Sequence, residues 1–251
     1  MVRFLILVIT ATLFFCNNDL FSIRSGQADP LVVITFDDAF ESIYRIGFRQ
    51  MRLIDTTWTA THFFPNDFIN QEGNVTLDQL KEMEVSGWEN GGHGRTHVNL
   101  SILSVDTMEA MVKENHDYLV QHGLSHESFA YSSGMYNEQV KTVVARYFEN
   151  IRTARDYYYL DGVDRQNLGY YAVKSGCTSN DLITRIEDAK RSGSLLVIIG
   201  FHAILPDTTS PLPIYWCKES VFHTFLLYLR DQHVQVMSIR DAIRVIKNKQ
   251  M

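Results

Sequence analysis

Leu195-Leu196-Val197-Ile198-Ile199-Gly200-Phe201 runs without a charge and without polar alternation. A strand with one wet face alternates apolar and polar side chains. An unbroken β-branched run belongs instead to a strand covered on both faces, as in a parallel sheet or barrel. Outward from this run, short β-rich stretches alternate with amphipathic ones, which is the βα pattern. Upstream, Leu31–Thr35 (LVVIT) reads as a strand followed by a helix-like Ser42–Leu53, and Trp58–Phe64 as the next strand. Thr76-Leu77-Asp78-Gln79 has the form of a capping box opening a helix that stops at Gly87, and a third strand leads into Gly91-Gly92-His93. Ser104 caps a long helix carrying Met108, Met111, Val112 and Leu119 on one face and ended by Gly123. Strand Ser128–Tyr131, an Asn137-capped helix, strand Ile151–Ala154 and a Tyr-rich passage (Tyr157–Tyr171) follow. Helix Asp181–Arg191 precedes the run, and helix Lys218–Asp231, strand Val234–Met237 and a last helix come after it. The pattern predicts an α/β fold of about seven βα units with parallel strands.

The 251 residues, 45% apolar and 21% charged, suit one globular domain with a sizeable core. Net charge is −6 and no block of Lys or Arg stands out, so the electrostatic footprint of a nucleic-acid binder is missing. A neutral or mildly cationic substrate is the expectation from net charge. Phe4–Phe15 is an apolar run after Arg3, too short to cross a bilayer as a helix. Residues 1–28 therefore read as a signal peptide, with Gly26 and Ala28 before Asp29, or as an uncleaved N-terminal anchor that gives the only membrane contact. The domain is 29–251, and its expected location is secreted, periplasmic or at the cell envelope. Beyond the leader only Cys177 and Cys217 remain, either as one bridge or as two free thiols.

Four short motifs stand where strands end, the place where βα loops carry function in parallel folds. Thr35-Phe36-Asp37-Asp38 puts two adjacent carboxylates past an apolar strand, and burying them together is unfavourable without a cation. The plain alternative is a solvated turn. His93-Gly94-Arg95-Thr96-His97 sets two imidazoles four residues apart, on one side if the segment is a helical turn, and such a pair can chelate an ion. By itself it would more often be a surface or core pair. Phe129-Ala130-Tyr131-Ser132-Ser133-Gly134 offers small residues and backbone N–H groups to a developing oxyanion. Gly200-Phe201-His202 brings an imidazole to the same rim.

In this order the motifs resemble the polysaccharide deacetylase family, carbohydrate esterase family four, over Leu31 to about Val245. The third motif is similar to the branch with a Tyr-Pro-aromatic-Gly loop. The resemblance implies a distorted (β/α) barrel and one divalent ion on Asp38, His93 and His97, zinc first, with Co2+, Ni2+ and Mn2+ as alternatives. It implies Asp37 as base, His202 as acid, and Ser133, Gly134 and Tyr131 at the substrate and oxyanion position. The implied reaction removes N- or O-acetyl groups from an acetylated glycan. Hydrolysis of a small non-carbohydrate amide and non-catalytic glycan binding are the alternatives. Many members carry an arginine where this chain has Ala130, so Arg152 or Arg155 is expected to supply that charge. Asp156 is the nearest candidate to steer the acid, with Asp161 and Asp164 behind it. Tyr136, Tyr157, Tyr158, Tyr159 and Trp216 offer stacking faces for sugar rings or serve as packing anchors.

Overall fold

The computed structural model describes residues 29–250; the expected signal or anchor segment, 1–28, lies outside them. Strands β1 (Leu31–Asp37), β2 (Thr61–Phe64), β3 (Glu89–Gly92), β4 (Ser128–Ala130), β5 (Asn150–Arg152), β6 (Tyr171–Ala172) and β7 (Leu196–Phe201) form one parallel sheet in the order β5-β4-β3-β2-β1-β7-β6. A short pair, β8 (Ile204–Leu205) and β9 (Cys217–Lys218), stands apart, and β10 (Val236–Met237) joins the main sheet on β1. Strand β1 divides its partners along its length, pairing Val32 and Val33 with β10 but Thr35, Phe36 and Asp37 with β2. The two edges approach one another through the Tyr-rich passage. Thr153 N–H donates to Leu168 O and Tyr170 N–H to Arg155 O, both at 2.7 Å. This is the expected distorted (β/α) barrel.

The run at 196–201 is buried at every residue, and the reason is two cores. Val197, Ile199 and Phe201 join Val32, Ile34 and Phe36 in the larger cluster, beneath helices such as α6 (Glu219–Asp231). Leu196 and Ile198 join Val33, Phe63 and Met237 in the smaller one. Leu195 falls outside the strand and is 40% exposed. With side chains alternating at period two, only a strand wrapped on both faces needs apolar residues at every position.

The helices follow their caps. Thr76 and Gln79 close both halves of the capping box on α2 (Leu77–Val85). Ser104 caps α3 (Val105–Gln121), and Asn137 caps α4 (Glu138–Val144). Helix α5 (Ser179–Ser192) begins two residues before the expected Asp181, because Thr178 and Asp181 form a second capping box. Ser42–Leu53 is not one regular helix: a π-type turn over Ile43–Phe48 precedes α1 (Arg49–Ile54), and its wider repeat turns Ile43, Tyr44, Gly47 and Phe48 inward together. A final helix, α7 (Ile239–Gln250), follows β10. Cys177 and Cys217 are free thiols, and burial pushes the Cys217 thiol up to about 12.

Two-sided burial has a measurable consequence. Ile198→Ala and Ile199→Ala, on opposite faces of β7, should each cost about 2–5 kcal/mol in urea unfolding, and Leu195→Ala well under half of that. A small effect at either isoleucine would contradict the double core.

Candidate active site

The strand ends bring the four motifs to one cavity of about 280 Å3, lined among others by Asp37, Asp38, His93, His97, Tyr131, Ser133, Gly134, Arg152 and His202. Asp37 is the last residue of β1, and Asp38 turns off it with φ 68°, a left-handed conformation that Asp tolerates better than most residues. Beneath this turn His62, fully buried on β2, donates Nε2–H to the Asp38 carbonyl at 2.7 Å. A carbonyl only accepts, so Nε2 carries the proton. Burial pulls the His62 pKa down to about 4, which keeps the ring neutral.

His93 leaves β3 nearly buried, and its Nδ1–H donates to Ala130 O at 2.7 Å. That bond fixes the tautomer and leaves the Nε2 lone pair turned to Asp38, 3.8 Å from Oδ1. His97 presents Nε2 to the same oxygen at 3.5 Å. The segment between them is not a helical turn: Gly94 has φ 80°, and residues 95–97 form a bend. Asn115, buried on α3, holds this loop by accepting from the N–H groups of His93 (2.9 Å) and Gly94 (3.0 Å). Its amide donates to Phe64 O and Asn66 Oδ1.

The donor set fits a cation. One ligand atom each from Asp38, His93 and His97 lies within 4.8 Å of the others, and Asp38 Oδ1 is buried without a hydrogen-bond partner. Tetrahedral zinc with bonds of about 2.1 Å needs ligand atoms about 3.4 Å apart, close to the two carboxylate–imidazole separations.

Beside this group, Asp37 is 3% exposed and pairs with Arg152 at 2.5 Å, itself 3% exposed. Burial works to raise the Asp37 pKa, but Arg152, then His202 and His93, overcome it and hold the carboxyl below the usual range. The same pairing outweighs burial at Arg152 and raises its pKa. Tyr170 lies 3.8 Å from the guanidinium. Arg152, rather than Arg155, is therefore the cation beside Asp37 that Ala130 does not supply. His202 Nε2 stands 3.8 Å from Asp37 Oδ2, and its ring stacks on Tyr215 at 5.1 Å.

Asp156 is not at His202. It pairs with Arg185, and neither it nor Asp161 nor Asp164 lines the cavity. His202 Nδ1 is buried with no hydrogen-bond partner among the described residues. In the third motif, Ser133 has φ 56° and directs its N–H to His97 Nε2 at 3.4 Å. Gly134 has φ 67°, and a Cβ there would meet the Ala154 Cβ at 2.5 Å. Tyr131 is buried and stacks on Tyr136 at 4.6 Å.

Three supporting residues had escaped the sequence reading. His62 is a polar break in the apolar stretch Ala60-Thr61-His62-Phe63-Phe64, and Asn115 occupies a core position between Val112 and Leu119. Both were legible as polar residues on inward faces. Tyr215 carries no such signal.

A sequence profile described as Polysaccharide deacetylase matches residues 24–148. No curated protein matches the chain in sequence. Among solved structures, the Streptococcus pyogenes deacetylase PplD in complex with acetate is similar at 24% identity and TM-score 0.57, over 62% of this chain and 70% of that one. The Xyl-CE4 domain of a multidomain xylanase from the hindgut metagenome of Trinervitermes trinervoides is similar at 12% identity and TM-score 0.62, over 86% and 91%. A CE4 family pseudoenzyme from Bacillus anthracis is similar at 16% identity and TM-score 0.56, over 86% and 66%.

His62 makes a pH prediction. Its folded pKa of about 4 lies below the ordinary 6.5, so the unfolded chain binds the extra proton between those values. Chelator-treated protein should lose stability as pH falls through this window, by up to about 1.4 kcal/mol per unit from this group, and level off below it. His62→Phe should remove that share of the slope in urea titrations. Identical slopes would show that His62 is not buried neutral.

Proposed function

Because the chain belongs to the polysaccharide deacetylase family, we propose that it is a metal-dependent hydrolase removing N- or O-acetyl groups from a polysaccharide or oligosaccharide. The observation that carries this is Asp38 Oδ1, buried and unpartnered between two imidazole Nε2 atoms and next to an ionised Asp37.

Asp38, His93 and His97 would hold one divalent ion, zinc first, with Co2+, Ni2+ or Mn2+ as alternatives. When bound, such an ion supplies Lewis acidity and makes water a competent nucleophile near neutral pH. Asp37 is the base: Arg152 keeps its carboxylate ionised, and its free Oδ1 accepts the proton of the attacking water. Ser133 N–H, which points to His97 Nε2 at 3.4 Å, would turn to the oxygen that gains charge once that nitrogen holds the ion. His202 delivers a proton to the departing amine or alcohol, with Tyr215 fixing its ring plane. Gly134 and Tyr131 shape the wall against which the acetyl group sits. Residues 1–28 support export to the envelope, periplasm or medium.

The pseudoenzyme neighbour and the altered third motif favour a second reading, a non-catalytic glycan binder. A full set of ligands, base and acid argues against it, since binding alone needs neither base nor acid.

Asp37→Asn should lower acetate release by at least about 10²-fold while metal content stays near wild type. The variant leaves Arg152 buried without its counter-charge, so thermal unfolding is measured alongside, with a loss of about 3–5 kcal/mol expected. Unchanged turnover refutes the base assignment. Chelation should abolish activity and Zn2+ or Co2+ restore it; activity that survives chelation refutes the metal.

A further inference from the structure

The two strands that lead into the Asp38 turn and the His93–His97 loop are not neighbours. Strand β2 lies between β1 and β3, pairing His62 with Phe36 on one side and Phe64 with Gly92 on the other. It carries none of Asp38, His93 and His97, yet both of the segments that do are tied back to it.

On the β1 side the tie is His62, fully buried, with Nε2–H on the Asp38 carbonyl at 2.7 Å. Taking an imidazole out of water is unfavourable unless its polar atoms find partners. Here Nδ1 is buried without one, and the ring's one hydrogen bond goes to the Asp38 peptide. Packing alone would be served by an apolar side chain, as at Phe63 and Phe64 beside it. The peptide that His62 holds belongs to a strained turn. With φ 68°, Asp38 sits in a region that L side chains populate sparsely, and a relaxed backbone there would swing its carboxylate away from His93 and His97.

On the β3 side the tie is Asn115, also fully buried. Its Oδ1 accepts from the N–H groups of His93 and Gly94, and its amide donates to the Phe64 carbonyl, where β2 ends, and to Asn66 Oδ1. Ser132 Oγ on the His93 carbonyl and Asp67 N–H on the Arg95 carbonyl share in holding that loop. We propose that His62 and Asn115 are positioning residues for the metal: with β2 as common frame, they fix the mutual placement of Asp38, His93 and His97 before an ion arrives. This rests on the reading of those three residues as ligands. A ligand set that must first be ordered binds its ion more weakly by the cost of the ordering, so the effect falls on metal affinity.

Competition for Zn2+ against a chromophoric chelator tests this on the purified protein without any substrate. His62→Phe keeps an aromatic ring in the strand but removes the donor, and should weaken Zn2+ binding by about 10-fold or more. His62→Gln returns an N–H at similar reach and should recover most of that loss, which a role in packing alone would not produce. Asn115→Leu, similar in size and without polar atoms, should also weaken binding by about 10-fold. The visible absorption of bound Co2+ should change in His62→Phe and return in His62→Gln. Urea unfolding of the metal-free variants checks the fold, and if Asn115→Leu does not fold, the two His62 variants decide. Wild-type affinity and an unchanged Co2+ spectrum in His62→Phe, or a His62→Gln variant as weak as His62→Phe, overturn the positioning role and leave the metal reading standing. A wild-type protein that binds neither Zn2+ nor Co2+ overturns the metal reading, and the positioning role falls with it.

Discussion

A guanidinium from the end of β5 meets a carboxylate from the end of β1 in the interior of the barrel mouth, and the candidate chemistry depends on that meeting. Burying a lone charge costs several kcal/mol, so neither Asp37 nor Arg152 is tolerable there without the other. Arg152 is itself held between the rings of Phe63 and Tyr170. The pair fixes which carboxylate of the Asp-Asp motif is neutralised by the protein. Asp38 is left with an oxygen that no side chain satisfies, which is the asymmetry a metal ligand and a base require of neighbouring residues.

Much of the architecture was legible because period-two burial and capping chemistry are local. The unbroken run at 196–201 announced a strand with two covered faces, and Thr76, Ser104 and Asn137 announced their helices. Segments whose shape depends on tertiary packing were less legible. The π-type turn at Ile43–Phe48 follows from what lies beneath it, and the short β10 from its pairing with only the first half of β1.

The site divides the same way. Asp38, His93 and His97 sit in strand-end motifs, and their grouping at one cavity agrees with that pattern. The choice between Arg152 and Arg155 stayed open in the sequence because the two lie three residues apart. It turns on where the strand stops: Arg152 still points into the barrel, whereas Arg155 has cleared the rim. Asp156 was attractive by proximity in sequence, yet Arg185 on α5 claims it. His62 and Asn115 act through backbone carbonyls and N–H groups, contacts that no residue spacing encodes.

The bend at Gly94 has an evolutionary implication. On a helix, the bite between two imidazoles is locked to the helical repeat and cannot be adjusted without repacking a whole face. Here a left-handed glycine, held by the Asn115 amide together with Ser132 Oγ and the Asp67 N–H, sets the span. Small changes in those bonds would alter the separation of the two imidazoles while the barrel beneath them stays untouched.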